Sequence, residues 1–328
     1  MKKEFVVVTG GLGFIGSSIV EKLLNLKFNV VNLDNLTYAA NLEKLKEFKS
    51  FKNYYFYKCN ITDSKKLNQI FNKYKPKYVL NLAAESHVDN SINNPKNFIN
   101  TNIIGTYNLL VETNKLHQKN YSIKFVQIST DEVYGDVVKK NKSSKENDAY
   151  APSSPYSASK ASADHLVRSW SRTYGIKYNI TCSANNYGPY QNNEKLIPVI
   201  IKNIVSKKKI PIYGNGLQKR NWIYVEDNAD AIIKVALNGK DNSTYNIGSN
   251  NDFTNRFMVK TICKILCKEF NFNKRIFKLI KYVKDRPGHD VVYKVNFYKI
   301  KNELNWKPKE NFNKSITRTI RWYLNKFK

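Results

Sequence analysis

The feature of this sequence that most constrains its fold is a glycine-rich turn, G-G-L-G-F-I-G over residues 10–16. Residues 3–9 before it read as a strand, and residues 14–26 after it read as a helix. Glycine permits the tight turn and the close approach of a pyrophosphate, while the amides that begin the helix supply donors and positive potential. Because this strand–turn–helix context is the one that the motif requires, the segment predicts a dinucleotide-binding unit.

Asp34 ends the second predicted strand, eighteen residues after Gly16. A carboxylate at this place can hold both ribose hydroxyls of NAD and repels the 2′-phosphate of NADP, and no arginine stands nearby to bind that phosphate. A plainer alternative is that Asp34 only begins a turn. The cofactor is predicted to be NAD, contacted in this region by Gly10, Gly13, Phe14, Ile15, Gly16, Asp34 and Asn35.

Strand-like and helix-like segments alternate through the first half of the chain, which is typical of a parallel sheet with helices on both faces. The predicted fold class is therefore α/β, with a Rossmann-type doubly wound parallel sheet. Further strands are predicted over residues 29–33, 54–57, 78–82, 124–129 and 178–183, and helices over residues 63–74, after Pro95 and over residues 156–174.

Beyond Asn185, loops rich in Asn, Gly and Pro separate shorter helices. Residues 1–184 are therefore predicted to form an NAD-binding domain that carries the catalytic residues. Residues 185–328 are predicted to form mainly a smaller substrate-binding lobe, from which some chain can return to the first domain.

The chain is strongly basic, with 55 lysines and arginines, 26 acidic residues and a formal net charge of +29. Such a charge is compatible with a nucleic-acid-binding protein. The basic residues are scattered, however, and the longest uninterrupted basic run is residues 207–209. We therefore expect the charge to attract an anionic nucleotide, without a dedicated nucleic-acid site.

The four cysteines do not form a disulfide framework in a chain of 328 residues. Cys263 and Cys267 share a helical face, but no histidine or further cysteine stands near them at a zinc-ligand spacing, so core packing and no metal are predicted. The apolar run from Phe5 to Val8 is too short for a signal peptide or a membrane span. We expect a soluble, cytoplasmic protein without a membrane partner.

Tyr156 and Lys160 stand four residues apart in a predicted helix, which places a phenol and an ammonium on one face. The same spacing separates Tyr54 and Lys58, but a strand holds side chains at that spacing about 13 Å apart. The ordinary pKa of tyrosine is about 10, so a tyrosine base at neutral pH needs positive charge nearby. Lys160 and an oxidised nicotinamide ring are together expected to supply that charge.

Several blocks of sequence occur together in a fixed order: L-A-A-E-S-H-V-D at 82–89, S-T-D-E-V-Y-G at 129–135, Y-x-x-x-K at 156–160, N-N-Y-G-P-Y at 185–190, E-K-L-I-P at 194–198 and D-R-P-G-H-D at 285–290. Through them the chain resembles the extended short-chain dehydrogenase/reductase superfamily and, within it, the dTDP-glucose 4,6-dehydratase family. The resemblance covers nearly the whole chain, and several blocks in one order are more specific than any single block.

The resemblance implies an NAD-dependent hydro-lyase that converts dTDP-glucose to dTDP-4-keto-6-deoxyglucose and water. Tyr156, assisted by Thr130 and beside Lys160, is expected to take the C4 hydroxyl proton during oxidation at C4. Glu132 is then expected to take the C5 proton and Asp131, held protonated, to protonate the leaving C6 hydroxyl before hydride returns to C6. Read alone, Asp131 and Glu132 would be a solvated acidic turn after the fifth strand.

The resemblance also implies further ligand contacts. Those to NAD are Asn60, Ile61, Leu82, Ala83, Ala84, Ser86, Thr101, Tyr156 and Lys160. Those to the substrate are Ser86, His87, Thr130, Asn186, Glu194, Lys195, Leu196, Arg220, Asn255, Arg286 and His289.

Arg220 and Arg286 are expected to clamp the diphosphate, because guanidinium groups match phosphate oxygens. The sequence departs from the family pattern at Asn60 and Asn221, where the family favours Asp. It departs again at residues 291–292, which are two valines in place of a basic pair. The first change bears on adenine binding and the others bear on nucleotide selectivity.

Other functions stay open from the sequence. A sugar-nucleotide 4-epimerase shares the fold, NAD, the tyrosine and the lysine, but it has no use for an acid and a base at C5 and C6. Another 4,6-dehydratase of the superfamily would differ in its nucleotide sugar, and a nucleic-acid-binding member is a remote alternative. The resemblance also implies a homodimer joined by the helices after Pro95 and Pro155.

Overall fold

The structure is a computed structural model that describes residues 4–137 and 143–327 of the chain, so Lys3, the start of the first predicted strand, lies outside the described residues. The strands are β1 Phe5–Thr9, β2 Asn29–Asp34, β3 Tyr54–Lys58, β4 Tyr78–Asn81, β5 Lys124–Thr130, β6 Lys177–Ser183, β7 Asn185–Tyr187, β8 Ile210–Tyr213, β9 Lys219–Tyr224, β10 Ser243–Ile247, β11 Asp252–Thr254 and β12 Ile280–Val283.

The α-helices are α1 Phe14–Asn25, α2 Leu42–Phe48, α3 Ser64–Tyr74, α4 Val88–Asn93, α5 Pro95–Phe98, α6 Gly105–Gln118, α7 Pro155–Tyr174, α8 Leu196–Val205, α9 Val225–Asn238, α10 Asn255–Glu269, α11 Tyr298–Leu304 and α12 Phe312–Phe327. The long helix predicted after Pro95 is continuous but changes type, because a π-helical turn, Ile99–Ile104, joins α5 to α6. Two 3-10 turns, Asp131–Tyr134 and Lys274–Leu279, complete the helical segments of the described residues.

In the described residues the main sheet has seven strands in the order β3-β2-β1-β4-β5-β6-β10, and every neighbouring pair is parallel. The strand order reverses between β1 and β4, which creates a crevice outside the carboxyl ends of these strands. The prediction of a Rossmann-type doubly wound parallel sheet is confirmed.

The sheet is buried on both faces, and the strand sequences reflect this. Val6, Val7 and Val8 in β1 are at most 1 % exposed, and α1 packs Ile19 and Leu23 into the same core. A strand covered on both faces needs a continuous apolar run rather than an alternating one. The run of three valines before the glycine-rich turn is therefore what this position requires.

The two ends of α7 are fixed by local sequence. Ser154 and Ser157 form a capping box. Pro155 occupies the first turn, where a backbone amide would have no partner within the helix, so proline costs no helical hydrogen bond. The helix ends before Gly175, which adopts a left-handed φ of 77°. Although α7 is 20 residues long, no helix in the described residues combines the length and apolar character needed to cross a membrane.

A second, smaller lobe has its own sheets and its own core. β9 lies between β7 and β11, and β8 pairs with β12. These strands and α8, α10 and α12 surround an apolar cluster that includes Ile200, Met258 and Ile316. Cys263 is buried in this cluster and Cys267 packs against it, in keeping with the prediction that both cysteines serve packing.

The chain returns to the first domain after entering the second lobe. Helix α9 packs against α1, and β10 becomes the edge strand of the main sheet beside β6. Residues 225–247 therefore belong structurally with the main sheet although they lie beyond residue 184. The predicted division at residue 184 allowed for such a return without locating it.

Candidate active site

The glycine-rich turn lies between β1 and α1 and has no room for side chains. Gly10 has a left-handed φ of 66°, and a Cβ on it would lie 2.9 Å from backbone atoms of Ala83. A Cβ on Gly16 would lie 2.2 Å from the carbonyl oxygen of Gly10. Gly13 caps α1 without a side chain, so the first amides of the helix suit an anionic group in the adjoining cleft.

Asp34 lies at the end of β2, beside this turn. Its Oδ2 accepts from the Leu12 amide and its Oδ1 from the Leu36 amide, both at 2.9 Å. Burial raises the pKa of Asp34, and the two amides oppose that effect. Each carboxylate oxygen keeps further acceptor capacity, so Asp34 both begins the turn and lines the cleft.

The loop after β4 forms the opposite wall of the cleft. The hydroxyl of Thr9 accepts from the Ala83 amide at 3.1 Å. Asn102, in the π-helical turn, bonds both the amide and the carbonyl of Glu85 and donates to Ser159 Oγ at 2.8 Å. Because π-helical turns widen a helix locally, Asn102 reaches from one wall of the cleft to α7 and ties them together.

These walls enclose a cleft with a cavity volume of about 330 Å³. Ligand sites in proteins have roughly 300–1,000 Å³, so the cleft has the size of a ligand-binding site. The residues that line it include every residue predicted to contact NAD: Gly10, Gly13, Phe14, Ile15, Gly16, Asp34, Asn35, Asn60, Ile61, Leu82, Ala83, Ala84, Ser86, Thr101, Tyr156 and Lys160.

Asp131 and Glu132 line the same cleft, at the end of β5. Thr130 caps the 3-10 turn that holds both residues, since its Oγ1 accepts from the Glu132 amide and donates to Asp131 Oδ1, each at 3.3 Å. Asp131 is 3 % exposed, and its Oδ2 has no hydrogen-bond partner within the described residues. The solvated acidic turn that the two residues would suggest alone is therefore not what the structure has.

Burial raises the pKa of both carboxyl groups, but their charged neighbours differ. Burial and then the charge of Glu132 raise the pKa of Asp131 to about 8, against the lowering effect of Arg220. Burial also raises the pKa of Glu132, but Arg220, Lys195 and Arg286 lower it. At neutral pH Asp131 therefore holds a proton, as a general acid must, while nearby cations favour the ionised form of Glu132.

Tyr156 and Lys160 reach the cleft from α7. Lys160 is 4 % exposed, its Nζ donates to the carbonyl oxygen of Ile128 at 2.6 Å, and burial lowers its pKa. In the protein alone the pKa of Tyr156 is raised by burial and then by Glu132, while a hydrogen bond with Thr130 lowers it. Lys160 alone does not offset these effects. Tyr156 therefore also needs the positive charge that an oxidised nicotinamide ring would supply.

Of the predicted substrate contacts, Ser86, Thr130, Asn186 and Lys195 line this cleft. The Nζ of Lys195 donates to the carbonyl oxygen of Ser86 at 2.9 Å and so links the start of α8 to the loop after β4. Glu194 and Leu196 flank Lys195 outside the cleft, and Glu194 accepts from the hydroxyl of Tyr38 at 3.1 Å. These contacts join the two lobes.

The two arginines predicted to clamp a diphosphate are engaged inside the protein. Arg286 forms an ion pair with Asp89, with 2.6 Å between Nε and Oδ1. The guanidinium of Arg220 donates to three backbone carbonyl oxygens, those of Lys219, Asp290 and Val291. Neither arginine lines the cleft, so a diphosphate would have to replace part of these contacts.

The remaining predicted substrate contacts also lie outside the cleft. His289 Nδ1 is 2.6 Å from Asp285 Oδ1, and burial lowers the pKa of His289. His87 caps α4, and Asn255 begins α10.

Thirteen residues that line the cleft were not among the predicted contacts: Leu33, Thr37, Ala39, Ala40, Cys59, Glu85, Ile128, Ser129, Ser183, Ala184, Asn185, Gln191 and Asn192. Asn185 is the first residue of the block N-N-Y-G-P-Y at residues 185–190. Its place in that block was the signal that could have identified it. Within the described residues Asn185 Oδ1, Asn186 Oδ1 and Gln191 Oε1 are buried without hydrogen-bond partners. Such atoms call for a polar ligand, and together with the glycine-rich turn and Asp34 they fit a dinucleotide.

Known proteins match this chain over nearly its whole length. A family model described as GDP-mannose 4,6 dehydratase matches residues 7–319. A dTDP-glucose 4,6-dehydratase of Escherichia coli is 48% identical in an alignment of 339 positions that covers 98% of this chain and 93% of that protein.

Solved structures agree as well. The dTDP-glucose 4,6-dehydratase of Bacillus anthracis str. Ames in complex with NAD has a TM-score of 0.86 and 40% identity, with 98% of this chain and 97% of that chain covered. The dTDP-glucose 4,6-dehydratase of Streptomyces venezuelae, solved with NAD and a second ligand, has a TM-score of 0.90, 35% identity and the same coverage. This chain therefore belongs to the dTDP-glucose 4,6-dehydratase family, within the group described by the GDP-mannose 4,6 dehydratase model.

Proposed function

We propose that this protein is an NAD-dependent dTDP-glucose 4,6-dehydratase, a hydro-lyase that forms dTDP-4-keto-6-deoxyglucose and water. The observation that carries the proposal is that Asp131 and Glu132 lie in one cleft with Tyr156 and Lys160. The full-length relatives that act on dTDP-glucose and the relatives solved with NAD support the substrate and the cofactor.

The glycine-rich turn, Asp34 and the loop after β4 are the parts of the chain that would hold NAD. When bound, NAD supplies the redox chemistry: a hydride acceptor for C4 of the sugar, and the return of that same hydride to C6. The protein residues do the proton chemistry around this exchange. Tyr156 accepts the C4 hydroxyl proton, and its hydrogen bond with Thr130 favours the ionised phenol.

The elimination step uses the two carboxyl groups. A ketone at C4 makes the C5 proton acidic, since the carbanion formed there is stabilised as an enolate. Glu132 accepts that proton. Asp131 gives its own proton to the C6 hydroxyl, which then leaves as water rather than as hydroxide. A 4-epimerase has no step that uses these two groups, so their burial in the cleft favours dehydration over epimerisation.

We also propose that the protein is a homodimer joined through α6 and α7. Ile104, which ends the π-helical turn, is 44% exposed. Tyr107 in α6 is 42% exposed and Tyr174 in α7 is 44% exposed. Tyr107 packs edge-on against Trp170, which in turn contacts Tyr174. A continuous exposed group of large apolar side chains is typical of a protein–protein contact.

Incubation of the purified protein with dTDP-glucose, without added NAD, tests the proposed function. The reaction has no net redox change, so the retained cofactor suffices. We expect a product lighter by the mass of one water molecule in mass spectrometry, and no such loss from dTDP-6-deoxyglucose, which has no leaving group at C6. A product of unchanged mass with inverted configuration at C4 would contradict the proposal.

A further inference from the structure

An ion pair joins the two lobes beside the cleft, and the proposed reaction does not use its carboxylate. Asp89 lies in the first turn of α4, three residues after Ser86, which lines the cleft. Arg286 follows β12 of the second lobe and is 197 positions further along the chain. Both side chains are partly buried, so the pair is neither a core contact nor a fully solvated one.

The guanidinium of Arg286 meets this carboxylate along one edge. Nη2 donates to Asp89 Oδ2 at 3.2 Å, and Nε lies 2.6 Å from Oδ1. Nε makes no hydrogen bond within the described residues, so the shorter contact is ionic. The guanidinium carbon also lies 5.5 Å from the centroid of the Tyr213 ring, which is within the range of a cation–π contact. Two neighbours therefore fix the orientation of this arginine.

The other edge of the guanidinium is open. An arginine has five N–H donors in a rigid fork, and within the described residues the hydrogen bonds of Arg286 come only from Nη2 and the backbone amide. Nη1 can therefore donate to a further anion while Asp89 keeps its place. Both terminal nitrogens of Arg220, in contrast, donate to backbone carbonyl oxygens, so those are the contacts that a diphosphate would replace.

The charges of this pair act on two residues that line the cleft, Glu132 and Lys195. Burial raises the pKa of Glu132 most, and Arg286 is among the cations that lower it. Burial also causes most of the lowered pKa of Lys195, with smaller and opposite effects of Arg286 and Asp89. The ion pair therefore lies close to the part of the cleft that holds the proposed chemistry.

We propose that Asp89 is a positioning residue that orients Arg286 so that Nη1 binds the diphosphate of the nucleotide sugar. The identity of that anion rests on the proposed function, whereas the ion pair does not. Hydrogen bonds between a guanidinium and a phosphate depend on geometry as well as charge. Without Asp89, the long side chain of Arg286 would regain rotamer freedom that binding would then have to remove.

The sign of one substitution distinguishes this role from a purely electrostatic one. Asp89 is an anion beside the proposed site of another anion, so removal of its charge alone would strengthen diphosphate binding. If Asp89 orients Arg286, its removal weakens binding instead, because the diphosphate loses a charge-assisted hydrogen bond.

Titration calorimetry of the NAD-loaded protein with dTDP measures this sign without turnover. Asp89→Asn should weaken dTDP binding about tenfold or more, as expected for one hydrogen bond between charged groups. In an Arg286→Ala background the same substitution should leave the affinity unchanged or strengthen it.

Asp230→Asn is the matched control. Asp230 pairs with Lys22 at 2.7 Å, and its side chain is 37% exposed against 34% for Asp89. Neither member of this second pair lines the cleft. The control removes the same charge and a similar ion pair, so it should bind dTDP as tightly as the unchanged protein.

Kinetics and stability separate positioning from support of the fold. With dTDP-glucose, Asp89→Asn should raise KM and change kcat much less, because the diphosphate is held alike in the ground state and the transition state. Its unfolding midpoint and NAD content should stay close to those of Asp230→Asn, since a partly exposed ion pair adds little stability.

Unchanged or tighter dTDP binding by Asp89→Asn, or equal weakening in both backgrounds, would overturn the proposal. A large loss of unfolding midpoint or NAD content would also count against it, because Asp89 would then support the fold. Weakening that depends on Arg286, in a protein that releases no water from dTDP-glucose, would refute the proposed function and leave the role of Asp89 intact.

Discussion

At the scale of single residues, charged neighbours distinguish two adjacent carboxyl groups whose pKa values are both raised by burial. Asp131 is almost completely buried and has Glu132 as its neighbour, and both conditions favour its protonated form. Burial raises the pKa of Glu132 as well, but Arg220, Lys195 and Arg286 act against that rise and favour its ionised form. The two carboxyl groups thus differ in their charged neighbours, as the proposed donor and acceptor of protons must.

Replacement of Glu132 separates the two halves of the reaction. Glu132→Gln keeps the shape of the side chain but removes the base, so oxidation at C4 should continue while water loss slows by about 10²–10⁴-fold. Rapid mixing, followed by cofactor absorbance and product mass, measures both steps. The exposed Glu226→Gln in α9 should change neither. Equal slowing of oxidation and water loss would show that Glu132 is not the C5 base.

The protonated state of Asp131 predicts the pH dependence of water loss. Its pKa is raised to about 8, so the acid form is present below that pH and is lost as the pH rises through it. The rate of water loss in a single turnover should therefore fall above about pH 8. A rate that stays constant across that pH would be inconsistent with Asp131 as the acid.

The sequence could identify the residues that are proposed to carry the chemistry, but not the internal contacts of Arg220 and Arg286. Asp131, Glu132, Tyr156 and Lys160 stand in short blocks that can be read locally, and the structure brings all four to one cleft. The pairing of Arg286 with a carboxylate 197 positions away has no local signal, since only the folded chain brings such residues together.

At the scale of elements, the glycine-rich turn sets the approach of β1 to α1. Gly16→Ala would place a Cβ 2.2 Å from the Gly10 carbonyl oxygen, so the turn must shift. A shift that costs about 1–3 kcal/mol in overpacking should weaken cofactor retention about tenfold or more. The NAD content of the purified protein measures this effect.

Gly175→Ala is the matched control for this substitution. Gly175 has a left-handed φ of 77°, but it follows α7 and does not line the cleft. The variant should lose about 1–2 kcal/mol of stability and keep its NAD. A Gly16→Ala protein with full NAD content would contradict the role given to the turn.

The sequence predicted long or strongly patterned elements better than short ones. The predicted strand 29–33 and helix 63–74 agree with β2 and α3 to within one residue at each end. Helix α2 has only seven residues and relies on the Asn41 cap, so its pattern is too short to stand out. The five residues of β10 join the main sheet through a long-range pairing that local sequence does not reveal. The widening at the π-helical turn likewise depends on buried contacts of Asn102.

At the scale of the whole molecule, the proposed dimer can be tested on its exposed face. Tyr107→Glu places a charge among Ile104, Trp170 and Tyr174, so it should shift the protein from dimer to monomer in light scattering after size-exclusion chromatography. Tyr298→Glu, at a position 61% exposed in α11, should leave the mass unchanged. A Tyr107→Glu protein that keeps the mass of a dimer would place the interface elsewhere.

The central claim is that one cleft oxidises the sugar, eliminates water and returns the same hydride. The most direct measurement uses dTDP-glucose carrying deuterium at C4, mixed with unlabelled substrate and no added NAD. We predict that NMR and mass spectrometry will find the deuterium at C6 of the same sugar molecule that lost it from C4. Dehydrated product without deuterium at C6, or with deuterium transferred to unlabelled molecules, would contradict this mechanism.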